Sequence, residues 1–468
     1  MNRTGVFLAI TGALALIAVL SGVPRGAEPP APTEPRPPSA AEGSLTMTAR
    51  LSHPFVAAGP QDVFVTVDVQ AAEQPGARRA AVNLALVIDR SGSMSGFKLE
   101  QARQAARQLI AQLRPDDRLT LVHYGSDVAA LPGLLVTPEN APRLLAFVDE
   151  IRDEGGTNIG EGLARARELL AAARGAFRVN RLILISDGQP TEGVTDLPGL
   201  TALVRAARVD GVSVSSIGVG EDFNEQLMEA LAEVGAGAYG YLQDASQLSR
   251  IFQRDLNAAG TQVARGVTLR LRVPAGARLQ RVLGYSQVTH GRDGDAELVT
   301  VSLPDFAAGQ QERVVAQLTV DAAGPGLTVA VSDLELGYAD LRSDRRVASS
   351  AHLTATSTDS ADTVAQRRDK DAVVFAARAR AAENSQRAAQ LLSAGDAEGA
   401  RGLFSLNEGI FDEAAAVAGE RVVAGDIAAQ QAQARQVDGA ATQAERKAAA
   451  KSFRTKARAD YGLMGSTY

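Results

Sequence analysis

An apolar run of Leu84, Ala85, Leu86, Val87 and Ile88 ends on Asp89 and breaks at once into a small, polar, glycine-containing turn; residues 83–96 read NLALVIDRSGSMSG. A buried parallel strand delivers a carboxylate to the rim of a sheet in this way. Ser91 and Ser93 place two hydroxyls beside Asp89, so three oxygen donors converge from five residues. Hard-oxygen convergence of this kind suits Mg²⁺ or Mn²⁺ and offers nothing to a soft metal.

Strand and helix patterns alternate after that turn. Leu99, Ala102, Ala106, Leu109, Ile110 and Leu113 share one helical face, and Arg114-Pro115 closes the helix. Residues 118–124 read as a strand, with residues 130–136 as a hairpin arm against Val122. Residues 138–151 and 159–173 read as helices. Residues 180–186 (NRLILIS) form a second buried strand that ends on Asp187-Gly188. A strand over 212–219, a helix over 223–234, a short strand over 239–242 and a closing helix over 246–257 complete the series. Such alternation predicts an α/β domain over residues 81–258, built on a doubly wound, mostly parallel sheet.

The flanks follow a different period. Leu45, Met47, Ala49 and Leu51, then Val63, Val65, Val67 and Val69, alternate with more polar neighbours, as half-buried strands do. Too few to make a stable sheet alone, these strands of residues 44–80 need partners elsewhere. Period two returns with Val267, Leu269, Leu271 and Val273, followed by strands over 298–303, 314–320, 327–331 and 334–338. The expectation is a β-sandwich over 264–355 that the earlier strands join, with the α/β domain inserted into it. Residues 354–362 are rich in Ser, Thr and Asp, and a linker is expected over 356–369. From 370 to 468 an Ala-, Gln-, Glu- and Arg-rich stretch predicts an α-helical region of two to four helices, with breaks at Gly395-Asp396 and residues 419–423. The basic cluster Arg446, Lys447, Lys451, Arg454, Lys456 and Arg458 near its end reads as a solvated helix face, with an anionic partner or membrane surface as the alternative.

Residues 1–23 carry a short basic head and an apolar segment over 5–23, the layout of an export signal or an N-terminal membrane anchor. Val23 stands where a lipidated cysteine would have to be, and the chain has no cysteine, so lipoprotein processing, disulfides and zinc-thiolate sites are excluded. Seven prolines over 24–43 make an extended linker. The expected location is therefore the periplasm, envelope membrane or cell surface. A net charge of −6 over 468 residues argues against a nucleic-acid partner.

Two further pieces converge on the Asp89 turn. Thr157, in Gly155-Gly156-Thr157-Asn158, is a hydroxyl at a helix N-terminus. Asp187 ends its strand as Asp89 ends its own, and in a parallel sheet both emerge at the carboxyl edge, where ligands bind. Asp89-x-Ser91-x-Ser93, Thr157 and Asp187-Gly188 together resemble the metal-ion-dependent adhesion site of von Willebrand factor type A domains. Residues 218–242 (GVGEDFNEQLMEALAEVGAGAYGYL) resemble the matching part of inter-alpha-trypsin inhibitor heavy chains and their bacterial relatives.

The resemblance implies that Ser91 and Ser93 ligate Mg²⁺ directly, with Mn²⁺ and Ca²⁺ as alternatives. It implies that Thr157 does so directly or through water as the domain changes state, and that Asp89 and Asp187 act largely through waters or hydroxyls. The helix over 226–234 and the closing helix are its candidates for state-dependent movement. Neutral hydroxyls leave a divalent charge underneutralised, so an open coordination position attracts an Asp or Glu carboxylate from a partner protein.

Enzyme readings fare worse on this edge. An aspartate-nucleophile phosphatase needs a second carboxylate two residues on, where Ser91 stands. Met94 occupies the serine position of a nucleophile elbow in GSMSG, and no GxxxxGK[ST] is present. His123, the one histidine of the α/β part, reads as structural. The expected function is non-enzymatic, metal-dependent protein binding. The alternative is an envelope scaffold that oligomerises through the C-terminal helices, its metal site purely structural.

Overall fold

The computed structural model describes residues 43–74, 79–220, 223–242, 257–258, 260–285 and 288–461. The expected export segment, most of the expected proline-rich linker and nearly all of the expected closing helix lie outside the described residues.

Strands β1 (Leu45–Leu51), β2 (Phe55–Val56) and β3 (Gly59–Ala71) precede the α/β domain. The domain comprises β4 (Val82–Asp89), α1 (Phe97–Gln112), β5 (Arg118–Tyr124), β6 (Val128–Leu135), α2 (Ala141–Asp149), α3 (Ile159–Ala171), β7 (Val179–Ser186), α4 (Leu197–Val209), β8 (Val212–Val219), α5 (Glu225–Val234) and β9 (Ala236–Leu242). Its sheet has the order β6-β5-β4-β7-β8-β9, parallel except where β6 runs back against β5. The apolar run of β4 is buried on both faces. Leu84, Leu86 and Ile88 face α1 and α2, while Ala85 and Val87 join the core beneath α3, α4 and α5. β4 pairs with β5 on one side and β7 on the other, so the carboxyl ends of β4 and β7 lie at the switch point of a doubly wound sheet.

Helix α4 falls where the sequence reading has no helix. Its start signal is Asp196, whose carboxylate accepts from Gly199 N at 2.8 Å, with Pro198 in the first turn. Helix α2 starts later than residue 138, at Ala141 after Asn140.

After the domain come β10 (Gln262–Val273), β11 (Ala277–Leu283), β12 (Val288–Asp293), β13 (Ala296–Ser302), β14 (Phe306–Ala307), β15 (Gln311–Ala322), β16 (Thr328–Asp340) and β17 (Arg345–Ser357). They form two sheets, β1-β3-β15-β11 and β12-β13-β10-β16-β17-β2, with β14 on β10. Val63, Val65, Val67 and Val69 of β3 share a core with Val267, Leu269, Leu271 and Val273 of β10. β3 pairs with β15 from Gly59↔Ala322 to Gln70↔Gln311, so the α/β domain is inserted between strands of one sandwich. The two strands read over 327–338 are one, β16, whose register shifts between Ala330 and Ser332. The Ser/Thr-rich stretch from 354 is the end of β17 rather than a linker, and helix α6 (Ala361–Gln366), capped by Ser360, lies within the expected linker. β17 explains this composition: exposed alternate positions of an antiparallel strand tolerate Ser and Thr.

Helices α7 (Lys370–Ser393), α8 (Ala397–Ala418), α9 (Glu420–Gly439) and α10 (Gln443–Asp460) complete the described chain. Ala376, Ala379 and Ala382 of α7 pack with Val315 and Leu283 on the outer face of the smaller sheet. Phe404 of α8 meets Phe453 of α10 edge-on at 4.9 Å. Asn407, fully buried, donates to Ala381 O at 3.0 Å and to Gln430 Oε1 at 2.8 Å.

The basic cluster is not a solvated face. Arg454 pairs with Glu225 of α5, and Arg458 lies 3.9 Å from Glu229 one turn further along. Lys451 sits 4.3 Å from the centre of the Tyr241 ring, and Arg446 donates to the carbonyls of Ala440 and Ala441. Matched four-residue spacing sets these charges of α10 against those of α5, so the cluster fastens the helical region to the α/β domain.

Candidate metal centre

Asp89 is fully buried at the end of β4. Its Oδ1 accepts from Ser91 N at 2.9 Å and its Oδ2 from Ser186 Oγ at 2.6 Å. With both oxygens engaged, Asp89 shapes the turn rather than facing outward. The turn continues as a short 3-10 segment, Gly92–Met94, in which Met94 is buried in the core and Ser93 is exposed. Ser91 Oγ and Ser93 Oγ stand 3.2 Å apart. Met94 thus pins the turn from below while the hydroxyls line its upper side.

The loop that carries Thr157 is stitched to this turn. Gly92 N donates to Gly155 O at 3.1 Å, and Glu154 N donates to Arg90 O at 2.8 Å. On its other side, Thr157 N donates to Thr191 Oγ1 at 2.9 Å, and Thr157 O accepts from Thr191 N at 3.0 Å. The Thr157 loop therefore lies between the Ser91–Ser93 turn and the segment that follows Asp187. Arg90, almost fully buried, holds the same loops through Asp127 and Glu154.

Asp187 follows β7, directly beside Asp89. Its O accepts from Asn224 N at 2.8 Å, and Gly188 turns with φ +65°, where an added Cβ would meet Asn224 and Met228 at 3.2 Å. The start of α5 thus abuts the site. Asp187 Oδ2 accepts from Lys98 Nζ at 3.1 Å, while its buried Oδ1 has no hydrogen-bond partner among the described residues.

Burial raises the Asp89 carboxyl above its usual range despite donors from Ser186 and Ser91, and the charge of Asp187 adds to the rise. Tyr124, wholly buried nearby, is pushed well above the usual phenol range by burial and by the Asp89 charge. Two adjacent carboxylates, one of them with an orphaned oxygen, and the paired hydroxyls of Ser91 and Ser93, with Thr157 on the adjoining loop, form a donor set that a hard divalent cation fits, and a cation would relieve the repulsion between the carboxylates. Among the described residues no three His, Cys, Asp or Glu side chains cluster to hold a metal, so any metal here relies on hydroxyls.

Sequence reasoning missed two participants. Ser186 reads as the last residue of an apolar strand, yet its hydroxyl bridges Asp89 and Gly188 N, the latter at 2.8 Å. Lys98 lies outside the apolar face by which the sequence marks α1. His123 packs its ring 5.1 Å from Phe147, and burial with the charge of Arg90 pushes its pKa down to about 4. It is neutral at pH 7.

Residues 83–254 match the family model of the von Willebrand factor type A domain. The chain is 29% identical over 271 residues to the uncharacterised protein YfbK of Escherichia coli, an alignment covering 56% of this chain and 46% of that one. It is 32% identical over 196 residues to inter-alpha-trypsin inhibitor heavy chain H2 of Sus scrofa, covering 40% of this chain and 20% of that one. The chain thus spans less than half the length of these two relatives. The solved von Willebrand factor type A protein of Catenulispora acidiphila matches with a TM-score of 0.66 at 16% identity, over 90% of this chain and 98% of that one. The inserted α/β domain is a von Willebrand factor type A domain.

Proposed function

We propose that this domain binds a partner protein through Mg²⁺ held by Ser91, Ser93 and Thr157, with Asp89 and Asp187 behind them and an Asp or Glu carboxylate of the partner completing the coordination. The observation that carries this reading is the buried Asp187 Oδ1, which has no partner among the described residues beside a turn of paired hydroxyls. Buried carboxylate oxygens are ordinarily satisfied, and a metal or its water ligand supplies what is missing. Mn²⁺ substitutes for Mg²⁺ in this donor set, and Ca²⁺ is the weaker fit because it takes more oxygens.

The function is non-enzymatic. Half-buried His123, neutral at pH 7, and Asp89, both of whose oxygens are engaged, are not poised as proton carriers. In this reading residues 1–23 export the chain or anchor it in the envelope. Most apolar side chains of the C-terminal helices pack within the chain and only Leu406 and Val422 stand exposed among the large ones described there, which leaves the scaffold alternative little apolar surface.

The test is capture from an envelope extract of the source bacterium with the full chain, in Mg²⁺, in EDTA, and with Ser93→Ala. A partner retained only by the unaltered chain in Mg²⁺ is expected. Equal retention under all three conditions contradicts metal-bridged recognition.

A further inference from the structure

Lys98 is the second residue of α1, and its side chain runs back over the metal centre instead of outward. Its stem lies across Gly220, at the end of β8. A Cβ on residue 220 would come within 2.5 Å of Lys98 Cε, and Gly220 has φ +83°, which glycine alone adopts without strain. The path leads the ammonium to Asp187 Oδ2 at 3.1 Å. The Asp187 side chain is 2% exposed and that of Lys98 27%, so the pair sits in the wall of the site, unlike Arg165–Glu168, a surface pair that is 41% and 68% exposed.

We propose that Lys98 is a tethered counter-cation of this site: it holds Asp187 when no metal is bound and yields to Mg²⁺, so that it sets the cation concentration at which the site fills. The inference rests on the proposed metal binding and deepens it. Asp89 and Asp187 emerge side by side from paired strands, and the positive charge of Lys98 offsets their repulsion in the metal-free protein. Mg²⁺ at the hydroxyls faces the same carboxylate. The ammonium then competes with the metal for Asp187 and repels it across a few ångströms of partly water-excluded protein. A site wired this way assembles without metal and opens to a partner only above a threshold of free Mg²⁺.

The experiment is calorimetric Mg²⁺ titration of the full chain, with melting temperatures taken with and without Mg²⁺. Lys98→Met removes the charge, and Lys98→Gln removes it but keeps an N–H donor for Asp187. Both variants are expected to bind Mg²⁺ about tenfold more tightly. Both should melt lower than the unaltered chain without metal, and gain more from saturating Mg²⁺. Damage to the site's structure would weaken binding instead, so tighter binding separates the two explanations. Affinities in both variants unchanged within about twofold, or weaker, overturn the role of Lys98 and leave metal binding standing. Absence of Mg²⁺ binding in the unaltered chain and both variants overturns the proposed function and this inference with it.

Discussion

Removing the Ser186 hydroxyl tests how the metal centre is held. In Ser186→Ala the Asp89 carboxylate loses the 2.6 Å bond to its Oδ2, and Gly188 N loses the acceptor it reaches at 2.8 Å. Both groups lie in the buried carboxyl edge of the sheet, where water does not replace what is lost. A hydrogen bond to a charged group contributes about 1.5–3 kcal/mol, and an unpaired buried N–H costs about 1–3 kcal/mol. The combined loss is about 2.5–6 kcal/mol, somewhat relieved if Asp89 takes up a proton, which its burial already favours. Hydrogen exchange of the β4 and β7 amides in metal-free buffer is the assay, with Ser393→Ala as comparison. Among the described residues the Ser393 hydroxyl bonds to the Ala389 carbonyl one turn back in α7, and its loss should be nearly neutral. Ser186→Ala should speed exchange at these strands about a hundredfold or more, since each 1.4 kcal/mol is about a factor of ten. Exchange that matches the Ser393→Ala protein would refute the claim that Ser186 orders the site.

The docking of α10 and the burial of His123 give two more expectations. Arg454→Ala leaves Glu225, only 12% exposed, without its ion-pair partner, and should cost about 3 kcal/mol of stability. The double variant Arg454→Met with Glu225→Leu should recover most of that loss in melting temperature, and no recovery would rule out an unpaired charge as the cause. His123 is held at about 4, below its ordinary 6.5, so the folded chain binds fewer protons than the unfolded chain between those values. Its contribution is therefore complete above pH 6.5 and is lost as the pH falls toward 4. His53, also pushed down to about 4 by burial and the Arg368 charge, adds to the same slope. His123→Leu should flatten the pH dependence of the melting temperature in that window without abolishing it, and an unchanged slope would contradict the assignment.

The strands that bear Asp89 and Asp187 were legible because both are apolar runs buried on two faces, each cut short by a carboxylate and a glycine-containing turn. That pattern has few other readings. Helix α4 was missed because Leu197-Pro198-Gly199 resembles a turn, although Asp196 before a first-turn proline is also a helix start. Ser186 and Lys98 were hidden for a different reason. Their roles arise from partners about ninety residues away in sequence, brought close by the pairing of β4 with β7. The charges of α10 likewise look like a solvated face until α5 is set against them. Local pattern reports which way a side chain points on its own element, and tertiary packing decides what it meets.

The central claim is that the edge between β4 and β7 holds a divalent cation. The most direct test is an anomalous difference map from crystals of the full chain soaked in Mn²⁺. The account predicts a single strong peak among Ser91, Ser93 and Thr157, absent from Ser91→Ala crystals soaked alike. A map with no peak there, or with a peak that survives Ser91→Ala, would contradict it.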